Sequence, residues 1–160
     1  YLNAVAHLAA AGLPQYEISN FAAPARRSRH NLKYWRLVPY LGLGVAAHSF
    51  DGRRRWWNER RLRSYIDRTA ASGRAEAGED AWDWTRRARE YVMLGVRLTE
   101  GVSRHAFHGR MGRPFPPEWA AALKKIIVPS LMLDDNVTFR LTPQGMLVSN
   151  EILQELFDAN

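Results

Sequence analysis

Residues 131–143 read Leu131-Met132-Leu133-Asp134-Asp135-Asn136-Val137-Thr138-Phe139-Arg140-Leu141-Thr142-Pro143. Two short runs of strand-forming residues flank Asp-Asp-Asn, whose side chains suit a tight turn, so the stretch predicts a β-hairpin. Thr142 and Pro143 then predict a helix start. The threonine hydroxyl can accept from a free first-turn N–H, and the proline ring presets φ for the first helical position. That helix is expected to run from Pro143 to Phe157.

Three more helices are expected upstream. Asp83 can cap the first, from Trp84 to about Leu98, with Ala88, Tyr91, Val92, Leu94, Gly95 and Leu98 on or near one face. Ser103 can cap the second, which runs through Met111 and stops at Gly112. Pro116 and Pro117 open the third, from Glu118 to about Val128. Three helices, a hairpin and a closing helix form a winged-helix-like order.

The first half carries weaker signals. Leu2, Val5, Ala6, Leu8 and Ala9 make a helical stripe within residues 1–11, ended by Gly12 and Pro14. Tyr16-Glu17-Ile18 alternates like a strand, and residues 19–40 read as a polar, aromatic loop punctuated by Pro24 and Pro39. The run Leu41-Gly42-Leu43-Gly44-Val45-Ala46-Ala47 predicts a buried strand that another group approaches closely, since glycine leaves room. Residues 62–71 predict a helix and residues 73–80 a linker.

With 160 residues, 46% of them apolar and 24% charged, the chain can build a core. It contains no cysteine, so it offers no thiolate for a disulfide, a zinc ribbon, a cysteine nucleophile or an iron–sulfur cluster. No apolar run approaches the roughly 18–20 residues of a membrane span. The start, Tyr1-Leu2-Asn3-Ala4, shows neither an initiator Met nor a signal pattern and reads as a cut inside a larger protein.

The net charge of +7 is concentrated. Residues 18–68 hold twelve Arg and Lys against three acids, a net +9; the remainder holds eleven against thirteen, a net −2. Such a field suits an anionic partner: nucleic acid, phosphate, or a porphyrin with its propionates. It equally suits a solvated Arg-rich face.

Chemistry-bearing residues are densest at Arg29-His30-Asn31-Leu32-Lys33-Tyr34-Trp35. His30 can ligate iron or donate a proton; Tyr34 and Trp35 offer flat faces for a planar ring; Arg26, Arg27, Arg29, Lys33 and Arg36 can pair with carboxylates. This set suits a porphyrin, suits single-stranded nucleic acid, or ties down a loop over core aromatics. His48 reads as a hydrogen-bonded structural histidine, and Trp56 and Trp57 as aromatics packed at a domain junction with charged neighbours in water. His105 and His108 lie three apart without a carboxylate at ligand spacing. No P-loop, Ser/His/Asp arrangement or paired-carboxylate motif stands out.

Several motifs in one order carry a family resemblance: Tyr16-Glu17-Ile18-Ser19-Asn20-Phe21-Ala22, Ser28-Arg29-His30-Asn31-Leu32-Lys33-Tyr34-Trp35, Tyr40-Leu41-Gly42-Leu43-Gly44, Ala47-His48-Ser49, and Arg55-Trp56-Trp57-Asn58. They continue in Met93-Leu94-Gly95-Val96-Arg97-Leu98, Glu100-Gly101-Val102, Arg140-Leu141-Thr142-Pro143-Gln144-Gly145 and Ser149-Asn150. Together they resemble the HemW family, heme chaperones long labelled oxygen-independent coproporphyrinogen III oxidase-like, in the radical SAM superfamily.

The resemblance implies an α/β fold. Residues 1–58 would be the C-terminal remnant of a radical SAM partial (β/α) barrel, and residues 59–160 a mostly α, winged-helix-like HemN-type C-terminal domain. It implies heme binding by His30, Asn31, Tyr34 and Trp35, with His30 on the iron and Arg26, Arg27, Arg29, Lys33 and Arg36 available to propionates. Gly42, Gly44 and Ala46 would lie on the SAM side. The whole protein would be cytoplasmic, bind a [4Fe–4S] cluster and SAM upstream, and hand heme to acceptor proteins, including membrane-associated respiratory ones, with no nucleic-acid partner.

Two departures stand out. Val45-Ala46 replaces the usual Pro-Gly, and the Cys-x3-Cys-x2-Cys cluster motif would lie upstream of Tyr1. The rival readings are a coproporphyrinogen oxidase acting by radical SAM decarboxylation and a winged-helix nucleic-acid module. For the latter, the third helix and wing supply only Lys124, Lys125 and Arg140.

Overall fold

The structure, a computed structural model, describes residues 1–126, 128 and 130–158. The chain forms two compact units: residues 1–36 together with the chain from residue 87 onward, and residues 37–86.

The first unit opens with helix α1 (Leu2–Ala10), followed by strands β1 (Gln15–Glu17) and β2 (Asn20–Phe21), which pair antiparallel. Glu17 is fully buried, and its carboxylate accepts from the Ser19 amide at 3.1 Å and from the Asn20 side chain. Buried charge needs such partners. The same hairpin is tied to a distant segment: Ile18 N–H donates to the Arg97 carbonyl at 2.9 Å and Thr99 N–H to the Tyr16 carbonyl at 3.2 Å. Residues 19–40 are therefore not one loop. They hold β2 and a two-turn helix, α2 (Arg29–Trp35), whose Ser28 hydroxyl accepts from the Asn31 amide at 3.3 Å.

The later part of this unit follows the expected helical order. Helix α4 (Trp84–Gly95), which follows α3 (Leu62–Ser72) of the second unit in chain order, begins at Asp83, whose carboxylate accepts from the Arg86 amide at 2.7 Å. It ends at Gly95, three residues short of the expected Leu98. Helix α5 (Arg104–Met111) is capped by Ser103 and ended by Gly112 in the left-handed conformation. Helix α6 (Pro117–Ile126) runs as expected up to Ile126; residue 127, inside the expected helix, lies outside the described residues.

The hairpin forms from β7 (Met132–Asp134) and β8 (Thr138–Leu141). A short unexpected strand, β6 (Val102–Ser103), adds to β8, giving a three-stranded antiparallel sheet in the order β6-β8-β7. Asp135 closes the turn by accepting from the Val137 and Thr138 amides at 2.9 and 2.6 Å. Gly101 is required just before β6: its φ is +72°, and a side chain there would strike the Phe139 carbonyl. Phe107, Leu123, Phe139 and Leu156 are fully buried, and Phe115 bridges Phe107 and Phe139 with centroids 5.2 Å from each.

The single helix expected from Pro143 to Phe157 is two, α7 (Pro143–Leu147) and α8 (Ser149–Asp158). Val148 leaves helical geometry (φ −118°, ψ 29°), and the break lets Met146 of α7 and Ile152, Leu153, Leu156 and Phe157 of α8 all be buried. One straight helix would give only a single apolar stripe to the core.

The second unit is an antiparallel sheet of β3 (His48–Phe50), β4 (Arg54–Asn58) and β5 (Glu76–Ala81), with helix α3 (Leu62–Ser72) between β4 and β5 in sequence. Phe50 and Trp82 pack at 5.1 Å, and the Arg55 guanidinium lies 4.4 Å from the Trp82 ring. Two expectations change here. Residues 76–81 are a strand rather than linker: Arg54 bridges to Glu76 and Glu79 across the sheet, and Gly78 makes room for Trp57. Residues 41–47 are irregular rather than a buried strand, with Leu41 and Leu43 exposed at 69% and 84%. Positive φ at Gly44 and Ala46 (+103° and +57°) breaks the extended path.

Candidate functional site

Helix α2 gathers the motif residues. At 100° per residue, His30, Asn31, Tyr34 and Trp35 fall on one side of the helix, with His30/Tyr34 and Asn31/Trp35 each one turn apart. The His30 and Tyr34 rings meet edge-to-face, 5.1 Å between centroids and 83° between planes. Both are exposed, so the imidazole can be reached from solvent. Asn31 and Trp35 are half-buried.

The surrounding cations divide into two groups. Arg26, Arg29 and Lys33 are exposed. Arg36, just past the helix end, donates through Nε and Nη2 to Glu100 Oε1 at 3.2 and 2.6 Å. Arg27 Nη1 lies 4.0 Å from the other Glu100 oxygen, and its guanidinium sits 5.9 Å from the Tyr16 ring. Glu100 is thus an acidic member of the site, within the Glu100-Gly101-Val102 motif but not among the expected site residues. The Glu100 and Arg36 positions are 64 apart, and no local pattern links them.

Beside α2 lies a cavity of about 420 Å³, lined among others by Trp35, Arg36, Tyr91, Leu98, Val102 and Arg110. Burial pushes the Tyr91 phenol above its ordinary range, and the nearby Arg110 charge pulls the other way. The cavity combines a flat aromatic wall, aliphatic side chains and two guanidinium groups, the general make-up of a ligand site. Tyr91 and Arg110 were not among the expected site residues. Their helices were legible, but which face closes on α2 was not.

Gly42, Gly44 and Ala46 lie in the other unit. There the dispersed motif pieces meet. Ser49, fully buried, accepts from the Gly42 amide at 2.9 Å, and Asn58 donates to the Gly44 carbonyl at 3.0 Å. A side chain at Gly42 would overlap the His48 carbonyl. Ala46 N–H donates to the Glu59 carbonyl at 2.8 Å. His48 is exposed on β3 and lies against Trp57 at 5.7 Å, while Trp56 is covered by the Arg54 guanidinium at 4.6 Å.

Among the described residues, no group of three or more His, Asp or Glu side chains is arranged to hold a metal ion, and no helix is long and apolar enough to cross a membrane.

The chain is similar to known proteins along most of its length. Residues 83–148 match the model of the HemN C-terminal domain. The chain is 35% identical to heme chaperone HemW of Bacillus subtilis over 141 residues, covering 88% of this chain and 37% of that protein. It is 31% identical to heme chaperone HemW of Escherichia coli over 161 residues, covering 94% of this chain and 39% of the relative. Among solved structures it resembles coproporphyrinogen III oxidase of Escherichia coli, described as a radical SAM enzyme, with a TM-score of 0.71. The sequence identity there is 18%, and the match covers 97% of this chain and 39% of the other. The fold is therefore that of part of a HemN-type structure, and the chain spans about two fifths of the length of these relatives.

Proposed function

We propose, for a chain that carries a HemN C-terminal domain at residues 83–148 and aligns with heme chaperones over most of its length, that it is the heme-holding part of such a chaperone. The observation that carries this reading is the face of α2. It presents an exposed imidazole, an exposed phenol ring beside it and a flanking indole, with cations on either side.

In this reading His30 ligates the heme iron, Tyr34 and Trp35 flank the macrocycle, and Asn31 shares the binding face. Arg26, Arg27, Arg29, Lys33 and Arg36 draw the propionates. Exposure suits a carrier, because a ligand that must be handed on cannot be sealed in. The heme would pass to acceptor proteins, membrane-associated respiratory ones included, from a cytoplasmic donor. Residues 1–58 would belong with a radical SAM barrel and residues 59–160 with the C-terminal domain. The [4Fe–4S] cluster and SAM would be held by parts of the protein other than this cysteine-free chain, with Gly42, Gly44 and Ala46 on the side facing SAM.

The test is hemin titration followed by Soret absorbance. The protein is expected to give a saturable shift that His30→Ala loses or moves. An identical spectrum and affinity in His30→Ala would remove His30 from the iron, and no shift in either protein would end the heme reading.

A further inference from the structure

The cavity beside Trp35 already shows how it handles a carboxylate. Glu100 supplies one, received by two N–H groups of Arg36 and approached by Arg27. All three side chains are nearly half-exposed, so this pairing is weakly held and exchangeable with a carboxylate of a bound molecule. Arg110 reaches the same cavity from α5, and among the described residues no carboxylate stands within salt-bridge distance of it. The cavity therefore has one acid facing two guanidinium groups, with Trp35, Leu98 and Val102 as apolar walls. That composition fits the edge of a flat apolar ring carrying an acidic arm.

We propose that this cavity lodges one propionate-bearing edge of the porphyrin, with Glu100 as the internal carboxylate that the propionate displaces from Arg36 and Arg110 as a second partner. The proposal rests on the heme reading above and adds two residues to it. It makes Glu100 a competitor of the ligand: when the site is empty it keeps Arg36 paired, and when heme arrives it must give way.

The experiment compares hemin with hemin dimethyl ester, which keeps the ring and iron and loses both carboxylates, on the purified protein and on Glu100→Gln and Arg110→Gln. Glu100→Gln is expected to bind hemin about two- to fivefold more tightly, the scale of one exposed ion pair, with no gain for the ester. Arg110→Gln is expected to bind hemin about three- to tenfold more weakly and the ester as before. Hemin affinity that is unchanged in both variants, or that changes equally for hemin and ester, overturns the proposal while leaving heme binding intact. Absence of hemin binding by the unmodified protein overturns the heme reading and the proposal with it. Glu100→Gln preserves shape at an exposed position, so the test does not depend on Arg110→Gln folding normally.

Discussion

The His30 imidazole stands edge-on to the Tyr34 ring, 83° between planes, one helical turn apart on α2. Such a contact favours one orientation of the histidine ring, and the residue stays exposed to solvent. Aromatic pairs of this geometry contribute about 0.5–1.5 kcal/mol beyond area burial. On the heme reading proposed above, Tyr34→Ala is expected to weaken hemin binding roughly two- to tenfold, whereas Tyr34→Phe keeps the ring and most of the affinity. Equal losses for Phe and Ala would show that the hydroxyl, not the ring contact, matters.

The site rests on a helix of only seven residues. A helix this short depends on its cap, and Ser28 provides it. Ser28→Ala is expected to cost about 1 kcal/mol locally. The readout is faster amide hydrogen exchange across residues 30–35, accompanied by a few-fold loss of hemin affinity. Unchanged exchange would mean that α2 is held by its packing rather than its cap.

Ala46 sits at φ +57°, in the left-handed region that glycine occupies freely. The position is fixed by its backbone bond to Glu59 and its place between Gly44 and Ala47. Ala46→Gly is expected to raise stability by roughly 0.5–1 kcal/mol, after subtracting the extra chain entropy of glycine. Thermal unfolding measures this, and a lower Tm for Ala46→Gly would refute it.

Arg104 and Asp134 form a bidentate pair, both bonds 2.7 Å, with side-chain exposures of 21% and 8%. The Arg104 hydrogen bonds, aided by the Asn136 amide, hold the Asp134 carboxyl below its ordinary value of 3.8 against the opposing effect of burial. A carboxyl depressed in the folded state adds stability above its unfolded pKa and loses it as pH falls through the folded pKa. The contribution is thus complete at neutral pH and declines from about pH 4 downward. Asp134→Asn is expected to lose about 2 kcal/mol at pH 7 and to show a flatter acid limb than the parent. Parallel pH–stability curves for the two would exclude the linkage.

Local chemistry in the chain determined much of the C-terminal part. Ser103, Asp83 and Thr142 cap helices where a short hydroxyl or carboxylate meets free amides, Gly112 ends one, and Asp135 closes the hairpin turn. Each of these signals acts over three or four residues, so the sequence alone carries it. The motif at residues 28–35 is legible as a dense set of imidazole, aromatic and cationic groups, but composition alone leaves it open between a porphyrin, single-stranded nucleic acid and a loop tied down over core aromatics. What the sequence could not decide depends on partners far along the chain. Residues 76–81 have few strand formers and become a strand because β4 supplies Arg54 opposite their acids and Trp57 over Gly78. Residues 41–47 have strand-like apolar content, yet Ser49 and Asn58 bind their backbone in an irregular path. Val148 breaks a helix because two directions are needed to bury both halves. The pairing of Arg36 with Glu100, and the cavity they edge, arise only when the segment after α4 folds back against α2. Short-range hydrogen bonding writes itself into sequence spacing, whereas burial and ion pairing are settled by which distant surfaces meet.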